Sequence, residues 1–186
     1  MNETDTRPIK LPNRIYDMIE SKVADLYSQL KITKFPINPF EIVKKKGIRL
    51  IPYSKLNEEQ LKTLYKLKMC GLNHICKDGV FQIYYDDSYN KERQRFTIMH
   101  EIGHIELGHK EDSDLAEICA NHFASYALAP TPIIGRYNCL DYIDISKKFF
   151  VSRECAEIIM RRFENWTNIP IDLKPHEERI REMFVW

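Results

Sequence analysis

The chain has 186 residues and a mass of 22.2 kDa, room for one domain or one domain with a small annex at roughly 150 residues each. Hydrophobic residues make up 44% and charged residues 30%, with 6 Gly, 9 Pro and a net charge of +1. That composition excludes a disordered, collagen-like or linker-like chain, and the length suffices to bury a core without staples.

In chain order, residues 1–12 read as a tail. The start Met1-Asn2-Glu3-Thr4-Asp5 lacks the basic opening and apolar stretch of a signal peptide. Asn13 is a candidate cap for a helix over 14–31, where Ile15, Met18, Ile19, Val23, Leu26 and Leu30 form a stripe with the 3.6-residue period. Asn38-Pro39 opens a short helix that stops at Gly47. Residues 48–52 suggest a short strand, and Asn57 opens a short basic helix. Residues 67–76 and 80–86 flank Asp78-Gly79, the pair that favours a type I′ hairpin turn. A helix over about 91–107 ends at Gly108, and another over about 114–128 is stopped by Pro130 and Pro132. Shorter helices are predicted over about 143–149, 153–166 and 175–184. The order indicates an α+β fold, with a short mixed or antiparallel sheet packed on helices.

No apolar run of about 18 residues occurs, which excludes a transmembrane helix. The best stretch, 115–134, is broken by Glu117, Asn121, His122, Pro130 and Pro132. Five cysteines, an odd number with no C-x-x-C, fit a reducing compartment better than a disulfide framework. A cytoplasmic protein with no membrane partner is expected.

The chemistry concentrates in His100-Glu101-Ile102-Gly103-His104. Four residues turn a helix by about 400° and advance it about 6 Å, so both imidazoles share one face. Two ring nitrogens then reach one Zn²⁺ at about 2.0–2.1 Å. Glu101, about 100° away, addresses a metal-bound water as general base. A hydrolytic zinc site needs a third protein ligand and an open fourth position. His109 follows His104 by five residues, where the H-E-x-x-H-x-x-G-x-x-H pattern requires six, so it reads as a helix-end or supporting group. Glu117 lies on the next helix, with Asn121 on the same face, and a helix–loop–helix return carries it over the two imidazoles. His122, about 140° from Glu117, cannot share that face. Glu117 is the favoured third ligand. His109, Asn121, His122, Tyr126, Arg136 and Tyr137 are candidate oxyanion donors or supporting groups.

The run Phe96-Thr97-Ile98-Met99-His100-Glu101-Ile102-Gly103-His104 is followed by Glu117-Ile118-Cys119-Ala120-Asn121-His122-Phe123-Ala124 and by Leu128-Ala129-Pro130. These motifs, in this order, resemble the ImmA/IrrE family of metallopeptidases, in which F-T-x-x-H-E-x-G-H precedes E-x-x-A-N-x-F-A and a short apolar run ending in Pro. The strand at 80–85 and Val151-Ser152 also fall where the resemblance places them. It covers about residues 35–165, with its specific core at 80–130. It implies a small zincin-like fold, His100, His104 and Glu117 as zinc ligands, and Glu101 as catalytic base. It also implies a protein substrate, a helix-turn-helix repressor of a mobile element or stress response. Leu128-Ala129-Pro130, with Tyr126 just before it, is less bulky than the family's usual run, and residues 166–186 have no counterpart. The implied organisation is a tail at 1–12, a metallopeptidase domain at 13–135 and a helical C-terminal subdomain at 136–186 packed on it.

Other constellations weigh less. Cys70, His74 and Cys76 share one face of a predicted strand but lack a fourth metal ligand. Residues 144–156 resemble a helix-turn-helix, with Ser152 as cap and Cys155, Ile158, Ile159, Arg162 and Phe163 as its core face; packing explains them better than DNA binding. Residues 1–100 carry a net +6 and residues 101–186 a net −5. The positive excess sits mainly in Lys44-Lys45-Lys46, Arg49 and Lys62-Lys66-Lys68, a patch that could meet nucleic acid, although such runs are mostly solvated. The alternative to a peptidase is a non-proteolytic, metal-holding regulatory or toxin–antitoxin-type module that binds protein or DNA. Glu101 favours the peptidase, because an inert zinc domain needs no base beside the water. An edge strand in the 67–86 hairpin could hold an extended peptide.

Overall fold

The computed structural model describes residues 11–111, 113–168 and 172–184. Residues 1–10, and with them nearly all of the predicted tail, lie outside the described residues, as do 169–171 and 185–186 of the unmatched C-terminal stretch. Leu11 is the exception to the tail, only 2% exposed and part of the core.

Helix α1 spans Asn13–Leu30, α2 Pro39–Lys45, β1 Arg49–Pro52, α3 Glu58–Lys66, β2 Gly71–Ile75 and β3 Phe81–Tyr85. Then come α4 Lys91–Leu107, α5 Asp114–Leu128, α6 Thr131–Ile134, α7 Tyr142–Phe149, α8 Arg153–Thr167 and α9 Pro175–Met183. The fold is α+β, as the sequence implies. The three strands form one mixed sheet in the order β1-β3-β2, with β1 parallel and β2 antiparallel to β3. Leu50 stands opposite Ile83, and Asn73 opposite the same Ile83 on the other side. Helix α4 lies between the sheet and the pair α1/α5. Residues from α1, α4, α5, α7, α8 and α9 share one buried apolar cluster, in which Ile19, Val23, Ile98, Ile102, Phe123, Ile145, Ile159 and Ile180 are shielded from solvent.

Three local expectations differ from the structure. Asn13 is the first residue of α1 and does not cap it; Pro12 holds that place without a side-chain hydrogen bond. The hairpin turn is not type I′, which needs positive φ at both central residues. Asp78 is not in that region and Gly79 alone is, at φ +79°, while the Gly79 amide donates to the Cys76 carbonyl and the Cys76 amide to the Val80 carbonyl. This is a three-residue loop with its glycine in the left-handed position. Ile158 is 52% exposed and does not join the core face of α8, whose buried residues are Cys155, Ala156 and Ile159.

Behind α5 sits a buried polar knot. Glu20 of α1 accepts from His122 of α5 at 3.0 Å and from His176 of α9 at 3.1 Å. Burial alone pushes the Glu20 carboxyl up, but the two histidine hydrogen bonds and the charge of Arg162 on α8 outweigh it and bring the group down to about 2. Burial also pushes the His122 imidazole down, helped by Arg162 and opposed by Glu20. Both folded values lie below the unfolded ones, 4.5 for the carboxyl and 6.5 for the imidazole. The unfolded chain therefore takes up protons first, and stability falls as pH drops. Thermal unfolding followed by circular dichroism is expected to show the midpoint falling once pH passes below about 6.5, continuing toward about 2. Glu20→Gln is expected to cost about 1–3 kcal/mol at neutral pH, with the gap to wild type narrowing below pH 4.5.

Candidate active site

The two imidazoles project from the middle of α4, which Asn90 caps by accepting from the Arg93 amide and which Gly108 ends in a left-handed conformation. Helix α5 starts at a similar cap, Ser113 accepting from the Ala116 amide. The short connection between them folds α5 back along α4. Glu117, in the first turn of α5, thereby faces His100 and His104.

The distances are short and mutual. His100 Nε2 and His104 Nε2 are 3.0 Å apart. Glu117 Oε2 is 3.4 Å from His100 Nε2, and Oε1 is 3.1 Å from His104 Nε2. Ligands at about 2.0–2.1 Å from one tetrahedral zinc stand roughly 3.3 Å from one another. The donor set thus fits a divalent cation in both chemistry and spacing, and these three residues could hold one. Burial brings the His100 imidazole down to about 4, opposed by its hydrogen bond to Asn121 and helped by the nearby Arg93 charge. At neutral pH His100 is an uncharged base. Its Nδ1 lies 3.0 Å from Asn121 Oδ1, which assigns the proton to Nδ1 and the lone pair to Nε2. His104 Nδ1 lies 3.0 Å from His109 Nδ1, a contact that holds the ring in place.

Glu101 is 6% exposed and lies beside the imidazoles. Asn73 of β2 donates from Nδ2 to its Oε2 at 2.6 Å. Asn73 is the site residue that the sequence does not single out; the available signal was a polar amide two residues from Gly71 on a strand facing the H-E-x-x-H helix. Gly71 lets β2 come this close. A Cβ there would stand 2.5 Å from Thr97 Cγ2 and 2.9 Å from Glu101 Oε1. Together β2, α4 and the start of α5 enclose a cleft of about 700 Å³, with Asn73, His100, Glu101, His104, Glu117 and Asn121 among its walls.

The other sequence candidates fall elsewhere. His122 points to the far side of α5, against Glu20, Tyr16 and Tyr126. Tyr126 is fully buried in the core. Tyr137 packs against Phe35 and Phe149, and Arg136 donates to the Arg181 and Phe184 carbonyls at the end of α9. None of these four lines the cleft. As oxyanion donors they are corrected by their placement; only His109 and Asn121 stand at the site, and both bond the imidazoles. Cys70, His74 and Cys76 do not gather either: Cys70 lies against Arg93, whereas His74 and Cys76 are 3.5 Å apart beside Gln82.

Gly71→Ala is expected to destabilise the fold by about 1–3 kcal/mol through overpacking against α4. Urea denaturation of this variant and of Gly71→Ala/Thr97→Ser checks it: the double variant, lacking the obstructing methyl, should recover part of the loss.

Among known proteins, the family model Peptidase_M78, described as IrrE N-terminal-like domain, matches residues 54–167. A search of curated proteins finds no match. The matched span includes the α4 imidazoles, the α5 carboxylate and β2, and covers more than half of the chain, which therefore belongs to this IrrE N-terminal-like family of metallopeptidase domains.

Proposed function

From that membership we propose that the chain is a zinc-dependent endopeptidase. His100, His104 and Glu117 hold one Zn²⁺, and Glu101 is the catalytic base. The observation that supports it best is the convergence of two imidazole nitrogens and a carboxylate, with a second, clamped carboxylate beside them. Zinc, when bound, supplies Lewis acidity toward a water and a substrate carbonyl.

The chain's own groups do the rest. Strand β2 is one of the two edges of the sheet among the described residues, so its outer backbone groups are available to an extended peptide. A peptide added there lies over His100 and Glu101, since Gly71 and Asn73 touch that part of α4. Glu101 takes a proton from the attacking water and delivers it to the leaving amine. Asn73 holds the carboxylate in place while it does so. Asn121 and His109 hold the two imidazoles from their Nδ1 sides, a support typical of metal-binding histidines. An inert metal-holding module would have no use for a base clamped in this way, which favours the peptidase over the regulatory-module alternative. Family resemblance supports a helix-turn-helix repressor, in the cytoplasm, as the substrate.

Elemental analysis of protein purified without chelator is expected to find about one zinc per chain. His100→Ala and Glu117→Ala should each lose it, while His109→Ala should retain it. Metal-free protein, or zinc that survives Glu117→Ala, would overturn the ligand set. Glu101→Gln should keep the zinc and the fold but lower peptide hydrolysis by about 10²–10⁴-fold, and an unchanged rate would reject the base.

A further inference from the structure

The cleft is not uniform along its length. Its α4 wall consists of Arg93, Phe96, Thr97, His100, Glu101 and His104, a single helical stripe. The opposite wall runs parallel to it. Asn73 sits on Glu101, Gly71 lies against Thr97 and Glu101, and Cys70 Sγ is 3.6 Å from Arg93 Nη2. Toward the start of α4 the cleft is therefore bounded by Arg93 on one wall and Lys68 on the other. Both are exposed, and among the described residues no carboxylate forms an ion pair with either. The other end carries Lys110 with Glu111 beside it, a mixed pair. The remaining acids of the cleft, Glu101 and Glu117, stand in its centre and belong to the chemistry already assigned. One end of the groove is thus cationic and the other balanced.

We infer that the site selects peptides bearing an acidic side chain, Asp or Glu, on one side of the cleaved bond, received by Arg93 and Lys68. This rests on the peptidase reading and adds a substrate class to it. The position follows from two rises. Arg93 precedes His100 by seven residues, two helical turns on the same face, or about 10.5 Å. An extended peptide advances about 3.3 Å per residue, so the acid lies about three residues from the cleaved bond. Arg93 suits the task, because its planar fork matches a carboxylate in two parallel hydrogen bonds. Its guanidinium lies 6.0 Å from the Tyr89 ring and against Cys70, and so is placed before substrate arrives. Both cations face solvent, which keeps the preference modest and sensitive to salt.

The zinc-loaded protein is incubated with a peptide library made by digesting a cell proteome, and the cut sites are read by mass spectrometry. Asp and Glu are expected to be enriched about three- to tenfold at one position, about three residues from the cut and on one side only. The double reversal Arg93→Glu/Lys68→Glu should turn that preference toward Lys and Arg at unchanged zinc content. Cleavage without acidic enrichment, or an enrichment that survives the reversal, overturns the inference and leaves the peptidase reading standing. If zinc-loaded protein cuts no peptide, the peptidase reading fails, and selectivity is read by binding alone. Fluorescence anisotropy with zinc-loaded Glu101→Gln then compares two labelled alanine-based peptides that differ by one Glu or one Lys. The Glu peptide should bind about three- to tenfold more tightly, with the difference shrinking as sodium chloride is added; equal affinity, or no binding of either, overturns the inference.

Discussion

The site depends on how closely α4 and α5 approach. Gly103, the fourth residue of His100–His104, faces Phe123 of α5 so tightly that a Cβ there would meet the ring at 3.1 Å. Even a methyl at 103 would require Phe123 to give by a few tenths of an ångström, and a larger side chain would press on α5. A displacement of even 1 Å would carry the Glu117 oxygens from 3.1 and 3.4 Å to beyond the spacing that one small cation tolerates. The glycine is therefore not a spacer in the motif. It sets the distance between two helices, and that distance turns a pair of histidines into a three-donor site.

Helix α5 is anchored on both of its faces, which holds the spacing. Glu117 and Asn121, four residues apart, look toward α4, while His122 and Tyr126, again four apart, look toward α1 and α8. On that rear face His122 donates to Glu20, and Arg162 lies 5.2 Å over the Tyr126 ring. Arg162 also donates to Ser125 and to the Ala129 carbonyl at the end of α5. Helix α9 joins through His176, and Trp166 of α8 donates to Glu177 of α9 at 2.7 Å. The C-terminal helices, which carry no site residue, thus fix the position of the helix that does. Charge burial of this kind specifies geometry more than it adds stability. It suits a helix whose one carboxylate must stay within a fraction of an ångström of two imidazoles.

Legibility in the sequence followed the range of the interactions. Helix periodicity, caps and proline stops act within a few residues, and α4, α5, α7 and α8 are readable from them to within a residue or two. The H-E-x-x-H face and Glu117 were also readable, because one short turn between two helices leaves little choice of return path. The turn at 76–80 is not decided by its residues, because Asp-Gly serves both two-residue and three-residue loops, and only the pairing of Ile75 with Phe81 decides between them. The oxyanion candidates failed for a longer-range reason. His122, Tyr126 and Tyr137 are chemically suitable donors, but their surroundings come from residues up to about a hundred positions away, such as Glu20 for His122. The role of Asn73 is hidden in the sequence for the same reason: its partner lies 28 residues on, across the sheet-to-helix interface.

Charge shows most sharply how little composition says about surface. The basic run of the first half looks like the obvious attractor for an acidic partner. Three of the four cations between 44 and 49 have internal work: Lys45 donates to the Leu30 carbonyl, Lys46 pairs with Glu106, and Arg49 pairs with Asp78. Lys46–Glu106 ties α2 to the end of α4, and Arg49–Asp78 ties β1 to the hairpin loop, so both serve the frame of the site. Lys68 and Arg93, far apart in sequence, both line one end of the cleft because β2 runs parallel to α4. A cation's field acts where its counter-charge is missing. By that criterion one end of the groove is electropositive, and Lys45, Lys46 and Arg49 are part of the scaffold.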